Sequence, residues 1–257
     1  MKTMIRTMIA AVVLAVSAVT AAGARDVDSL WAQAVNEYTA ENYEAALTAF
    51  TSIEEAGYVS PDLYYNMGNC CYKLGHRLGL SILYYEKALK LDPSYEDAAV
   101  NLEIAREGTL DRIEAVPEFI LLTWFKAFRD TLSSDAWAWI ALALLMTVAV
   151  MVLLFRFGRS IALRKTAFAI AVVAVVFMAI SAAFAFNLRS AVEDSGEAVV
   201  TVPVSSVKSS PGSTDQSLFI LHEGTKVSVV DSLGDWYRIE LSDGRQGWME
   251  GNDVEII

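Results

Sequence analysis

Two apolar runs without a single charged side chain, Ala136–Phe155 and Thr166–Leu188, are joined by residues that include Arg156, Arg159, Arg164 and Lys165. This pair constrains the fold more than any other feature. A water-soluble protein would have to bury both helices on every side. A bilayer core needs only about 20 apolar residues per crossing, at about 1.5 Å rise per residue. The expectation is a hairpin with spans at 136–155 and 166–188. The basic loop 156–165 is expected on the cytoplasmic side. Both flanking regions must then lie on the opposite, extracytoplasmic (periplasmic) side of the inner membrane.

The start of the chain fits this placement. Lys2 and Arg6, the apolar stretch Met8–Val19 and the small residues Ala22-Gly23-Ala24 read as a secretory signal peptide over 1–24. Charge follows the same map: net −10 over 25–135, +4 in the loop and −7 over 189–257. Acidic flanks and a basic loop suit the positive-inside rule. They argue against nucleic-acid binding, which needs basic surfaces. The two cysteines, Cys70 and Cys71, are neighbours. A bond between them would close almost no loop. They read as small apolar packing residues, with a redox-sensing pair as the alternative.

Residues 26–107 repeat themselves. Leu30, Ala34 and Tyr38 recur 34 residues later as Tyr64, Gly68 and Tyr72, and Ala46 and Phe50 recur 35 later as Ser81 and Tyr85. Asn66 and Met67 recur in turn as Asn101 and Leu102. Small residues let paired helices approach, aromatics fill the space between them, and Pro93 ends the second repeat. Tyr64-Tyr65-Asn66-Met67-Gly68-Asn69, Lys73-Leu74-Gly75 and Tyr84 to Pro93 resemble the tetratricopeptide family. Glu41 stands at the usual turn glycine, and the third repeat, Glu96–Arg106, is a half. Such arrays usually need about three repeats. The helix after Pro117, the membrane or a partner is therefore expected to complete this one. The resemblance implies a peptide-binding groove presenting Trp31, Tyr38, Tyr65, Asn66, Asn69, Tyr72, Lys73 and Asn101. Asp97 stands where a carboxylate-gripping array would place a base.

Between the repeats and the first span, residues 117–135 place Leu121, Trp124, Phe125, Phe128 and Leu132 on one helical face. This amphipathic juxtamembrane helix either lies in the membrane interface or caps the repeats. Trp137 and Trp139 open the first span, where tryptophans anchor. The spans lack the ionisable groups of a channel or transporter.

The last segment, 197–257, alternates in the manner of short strands. They are expected at Val200-Thr201-Val202, Phe219–Leu221, Lys226–Val230, Trp236–Leu241 and Gly247–Met249. Turns at Ser209 to Gly212, Glu223-Gly224, Gly234-Asp235 and Asp243-Gly244 separate them. About sixty residues of this kind suit a small β-barrel. Leu221 to Val227, Gly234-Asp235-Trp236-Tyr237, Asp243-Gly244 and Gly247-Trp248 resemble a bacterial SH3 domain. That resemblance implies an aromatic groove for peptide or peptidoglycan, with Trp236, Tyr237 and Trp248 as candidates. His222 reads as a structural hydrogen-bonding residue.

The sequence contains no GxxxxGK[ST], HExxH or GxSxG motif. No catalytic, cofactor-binding or metal-ligating set is expected, and the chain reads as noncatalytic. The fold class expected is a multidomain membrane protein: all-α tetratricopeptide repeats, a two-helix transmembrane hairpin and a small all-β SH3-like barrel. That order of parts resembles the Bacteroides-type aerotolerance operon family, in particular its E component. The residues that carry the likeness are Tyr65 to Asn69, Ile82 to Leu89, Asn101 to Arg106, Asp135 to Ala138 and Leu221 to Val227. The resemblance implies a scaffold in an envelope complex linked to aerotolerance and stress. Its partners would be sibling membrane proteins with von Willebrand factor A domains and, indirectly, a MoxR-type AAA ATPase. The alternative is a cell-wall sensor that reads peptidoglycan through the barrel.

Overall fold

The computed structural model describes residues 27–113, 119–193, 196–212 and 216–257. The expected signal peptide and the first residues of the 117–135 segment lie outside the described residues.

Five helices come first: α1 (27–39), α2 (Tyr43–Glu55), α3 (Pro61–Leu74), α4 (Leu78–Leu91) and α5 (Glu96–Glu107). From α2 onward each helix packs against the next, and short turns make neighbours antiparallel. Local chemistry sets the ends of α3. Ser60 accepts a hydrogen bond from the Leu63 N–H at 3.1 Å, Pro61 occupies the first turn, and Gly75 closes the helix at φ +74°. The first turn lacks that glycine, and Glu41 takes the left-handed conformation instead, at φ +62°. Ala34, Ala46 and Ser81 are fully buried where helices meet. Trp31 packs edge-on to Phe50, with ring centroids 5.3 Å apart. Cys70 and Cys71 are fully buried, and burial pushes both thiols up to about 12. That keeps them protonated and poor nucleophiles.

Helices α6 (Ile120–Arg129), α7 (Ser134–Phe157) and α8 (Ile161–Glu193) follow. The juxtamembrane helix is thus shorter than expected and ends before Leu132. The basic loop contracts to the short break 158–160, which holds Arg159, while Arg156, Arg164 and Lys165 sit on the adjoining helix ends. α7 and α8 pack along their lengths through a seam of seven-residue period. Ala167, Ala174, Ser181 and Leu188, with Phe184, are buried on α8, and Trp137 is buried while Ala141, Leu144, Thr147, Val148 and Met151 are half-buried on α7. Small residues in such a seam let the backbones close. The outer faces stay exposed, and Trp137 is the buried residue of α7. Trp137 therefore departs from its expected anchoring role: its Nε1–H donates to the Arg129 carbonyl at 2.8 Å. Trp139 faces outward.

The C-terminal sheet has seven antiparallel strands: β1 (Glu197–Val200), β2 (Val204–Lys208), β3 (Ser217–His222), β4 (Lys226–Leu233), β5 (Trp236–Glu240), β6 (Gln246–Glu250) and β7 (Val254–Ile256). Their order is β3-β2-β6-β5-β4-β1-β7. Ala198, Val200, Val207, Leu221, Val227, Ile239 and Met249 lie in its core. The first strand lies earlier than expected, and β2 and β7 were not anticipated.

The C-terminal sheet packs on the open side of the helical array, where α6 was one of the expected coverings. Val199 and Ile257 join one buried cluster with Ile82, Leu83, Tyr85, Leu102 and Ala105. Gly224, at φ +86°, sits so close to Ile82 and Thr109 that an added Cβ would lie 2.6 Å from the Ile82 side chain.

Candidate functional site

The first candidate site is a cavity of about 260 Å³ on the helical array. It is lined by Tyr38 of α1, by Tyr65, Asn69, Tyr72 and Lys73 of α3, by Tyr85 of α4, and by Asn101 and Ile104 of α5. Residues 65, 69, 72 and 73 share one α3 face because they follow the three-to-four residue spacing of a helix. Three polar side chains form the floor. The Tyr85 hydroxyl donates to Asn69 Oδ1 at 2.7 Å, and Asn101 Nδ2 donates to the same oxygen at 2.9 Å. Asn101 Nδ2 also reaches the Tyr65 hydroxyl at 3.4 Å. With Asn69 Oδ1 accepting two donors, its amide nitrogen is left to donate elsewhere. Burial pushes the Tyr85 phenol above its ordinary value, though hydrogen bonds from Ser81 and Asn101 work against the shift. Tyr38 is raised as well, first by burial. Both phenols are neutral donors at physiological pH. The walls are aromatic, the floor is amide, and Lys73 supplies a cation. Such a cleft suits a polar polypeptide segment better than an apolar small molecule.

Six of the eight groove candidates meet here: Tyr38, Tyr65, Asn69, Tyr72, Lys73 and Asn101. Trp31 does not. It turns toward the α1–α2 core against Phe50. Asn66 does not either, because its Nδ2 donates to the Asp62 carbonyl one turn back, at 2.7 Å. Tyr85 and Ile104 were missed as lining residues. Tyr85 read as a packing aromatic, and its ring does pack, against Gly68, while its hydroxyl reaches the groove floor. Ile104 could have been found from Asn101 by helical spacing.

The barrel candidates are split by the pleat. Trp236 and Trp248 lie on the outer face: Arg238 pairs with Trp248 in register, and Trp236 is two residues along the same strand. Lys208 pairs with Trp248 on the other side, and its ammonium sits 4.7 Å from the Trp236 ring centroid. Tyr237 lies on the opposite face, beside the core, and lines a separate shallow depression with Val229 and Ile256.

A third group of polar residues ties the two modules together. Asp111, just beyond α5, reaches the barrel. Its carboxylate accepts from the His222 N–H at 2.7 Å, from the Thr225 hydroxyl at 2.7 Å and from His222 Nδ1 at 2.8 Å. Burial alone would raise the Asp111 carboxyl; the His222 and Thr225 hydrogen bonds outweigh it and hold the group below its ordinary value. Buried Glu86 of α4 pairs with Arg106 and, at 3.0 Å, with Lys226 of the barrel, which also meets Glu197 at 2.8 Å. Burial alone would lower the Lys226 ammonium, but Glu86 and Glu197 hold it above its usual value. Lys90 Nζ donates to the Ile257 carbonyl at 2.8 Å, and the Gly79 N–H to Glu223 at 3.2 Å. His222 thus serves the structural hydrogen-bonding role read from the sequence. Among the described residues, no three His, Cys, Asp or Glu side chains converge as a metal site.

Residues 203–255 match the family model of the bacterial SH3 domain. The chain therefore carries that domain, and the matched segment runs from just before β2 into β7. Strand β1, which docks on the helices, lies outside it. No curated protein matches the chain.

Proposed function

We propose that this chain is a noncatalytic, membrane-anchored scaffold. In this reading α7 and α8 cross the inner membrane twice, and the helical array and barrel stand together on its extracytoplasmic side. One observation carries it: the array and the barrel are docked on each other, although the whole apolar hairpin separates them in sequence. A chain that leaves and returns to one side must cross an even number of times. Two helices of sufficient length and apolarity lie between, their outer faces exposed as lipid contact requires. The sequence resemblance to tetratricopeptide repeats supports giving the groove at Tyr65, Asn69 and Asn101 to a partner polypeptide. The resemblance to the aerotolerance operon family points to sibling von Willebrand factor A-domain membrane proteins as that partner, with a MoxR-type ATPase reached through them. Only the short α7–α8 break and the flanking helix ends face the cytoplasm in this topology, so the ATPase link is indirect.

The test is affinity purification of the tagged full-length protein from detergent-solubilised membranes, with bound proteins identified by mass spectrometry. Tyr72 and Lys73 are exposed, so Tyr72→Ala with Lys73→Glu leaves the fold intact. Recovery of the partner should fall at least about tenfold, equivalent to about 1.4 kcal/mol. Undiminished recovery means that the groove is not the binding surface.

The bacterial SH3 match and the outward pair Trp236 and Trp248 beside Lys208 support a second reading, in which the barrel holds cell-wall material. The full-length protein would then sediment with purified sacculi, and Trp236→Ala would abolish this. Protein that remains in the supernatant removes the second reading.

A further inference from the structure

Helix α6 has an apolar surface that the array and the barrel leave uncovered. None of its residues is buried. Its large apolar side chains range from 47% exposed at Leu122 to 69% at the preceding Phe119, and Trp124 is 66% exposed. In a protein wholly surrounded by water, such a patch would be an aggregation surface. The helix is nevertheless held in place. Phe125 and Phe128 contact the Phe184 ring at centroid distances of 5.2 and 6.1 Å. Arg129 reaches Asn187 Oδ1 at 2.6 Å. Phe128 also meets Trp137 at 5.9 Å.

Those contacts fix the level of α6 along the hairpin. Exposed aromatics lie near both hairpin ends, Trp139 and Phe186 at one and Phe155, Phe157 and Phe168 at the other, with Phe177 also exposed midway along α8; the outermost marks are Trp139 with Phe157 and Phe186 with Phe168. Along each helix the two marks are 18 residues apart, which is about 27 Å at helical rise and close to the thickness of a bilayer core. Aromatic residues gather at such boundaries because one part of the ring is apolar and another polar. Residues 184–187 and 137, which hold α6, lie at the level of the Trp139–Phe186 collar. Polar Thr123, Lys126 and Arg129 accompany seven apolar residues in this ten-residue helix, the composition of a segment lying at the headgroup boundary.

We infer that α6 is a third membrane contact, embedded in the lipid interface of the extracytoplasmic leaflet. Its occupant is lipid of the same bilayer, continuous with the lipid around α7 and α8. The inference rests on the two-pass reading above. It makes the hairpin a three-helix anchor whose third member lies at the interface without crossing.

Nitroxide labelling of the full-length protein tests this in vesicles of phosphatidylcholine and phosphatidylglycerol. Labels go on Leu121→Cys in α6, Met146→Cys on the outer face of α7 and Val100→Cys on α5. Cys70 and Cys71 are buried, and the unsubstituted protein reports any background from them. Collision with oxygen, which concentrates in lipid, is compared with collision with an aqueous nickel chelate. The oxygen-to-nickel ratio at 121 should exceed that at 100 by at least about threefold and fall below that at 146, as expected at a shallow depth. A ratio at 121 equal to that at 100, with 146 deep, overturns the inference and leaves the hairpin standing. Shielding of 121 from both reagents means that protein covers α6, which also overturns it. Nickel access at 146 overturns the two-pass reading and this inference with it.

Discussion

At position 68 a hydrogen atom is all that fits. A Cβ there would stand 2.6 Å from the Tyr85 ring, and the Gly68 carbonyl accepts the Ser81 hydroxyl at 3.0 Å. Gly68 therefore sets how closely α3 and α4 approach, and through Tyr85 it sets the groove floor. Gly68→Ala should cost about 1–3 kcal/mol from overpacking. It should also break the hydrogen bond from Tyr85 to Asn69. Thermal unfolding in detergent checks the first effect, and loss of partner capture at a temperature where the variant is folded checks the second. Asp111 is the residue whose role is acid-sensitive. Its folded-state carboxyl lies below the ordinary 3.8, so the stability it contributes is complete above that value and is lost as pH falls through the lower, folded value. Asp111→Asn should lower stability by about 1–3 kcal/mol at neutral pH. The gap between variant and wild type should close below about pH 3.8. Unfolding midpoints measured against pH would show it. A gap that stays constant with pH would mean that Asp111 contributes nothing through its charge.

Among the elements, helices were legible and strands less so. The 34-residue period placed α1 to α5 because small and aromatic residues recur where helices must touch. The strands that escaped break the alternation on which strand reading depends. In β2, Val204 is exposed while Ser205 is buried, its hydroxyl donating to Asp253. The apolar and polar positions are thus inverted at that end of the strand. In β1, Ala198, Val199 and Val200 are all buried, because Ala198 and Val200 face the barrel core while Val199 faces α4. A strand covered on both faces reads as a continuous apolar run, so its position could not be fixed by alternation. The groove was legible to the extent that helix spacing carries it. Asn69 and Asn101 were found through the tetratricopeptide register, although the repeat itself pairs Asn101 with Asn66. Trp31 and Asn66 were misplaced because a repeat period does not say which side of a helix faces the neighbour. The Asp111–His222–Thr225 junction had no sequence signal: it joins residues more than a hundred positions apart and follows no motif.

In the whole molecule, the barrel and the array form one body, and the apolar hairpin is inserted between them in sequence. The Glu86 charge cluster, the Asp111 junction and the Ile82–Val199–Ile257 cluster all lie at this joint. Replacing one partner of a buried ion pair usually costs about 3–5 kcal/mol, because the charge left behind is uncompensated. Glu86→Gln should accordingly loosen the barrel from the helices. Limited proteolysis would show this as faster release of the barrel, and a wild-type digestion rate would contradict it. The joint also explains why the barrel is best studied in the full chain: β1 and Ile257 are packed against helices as well as within the sheet. The central claim is that this joined body stands on one side of a membrane crossed twice. Labelling of spheroplasts with a membrane-impermeant thiol reagent tests it most directly, using Val100→Cys in the array, Leu233→Cys in the barrel and Arg159→Cys between α7 and α8. The account predicts that positions 100 and 233 react in intact spheroplasts and that 159 reacts only after lysis. Reaction of 159 before lysis, or of only one of 100 and 233, would contradict it.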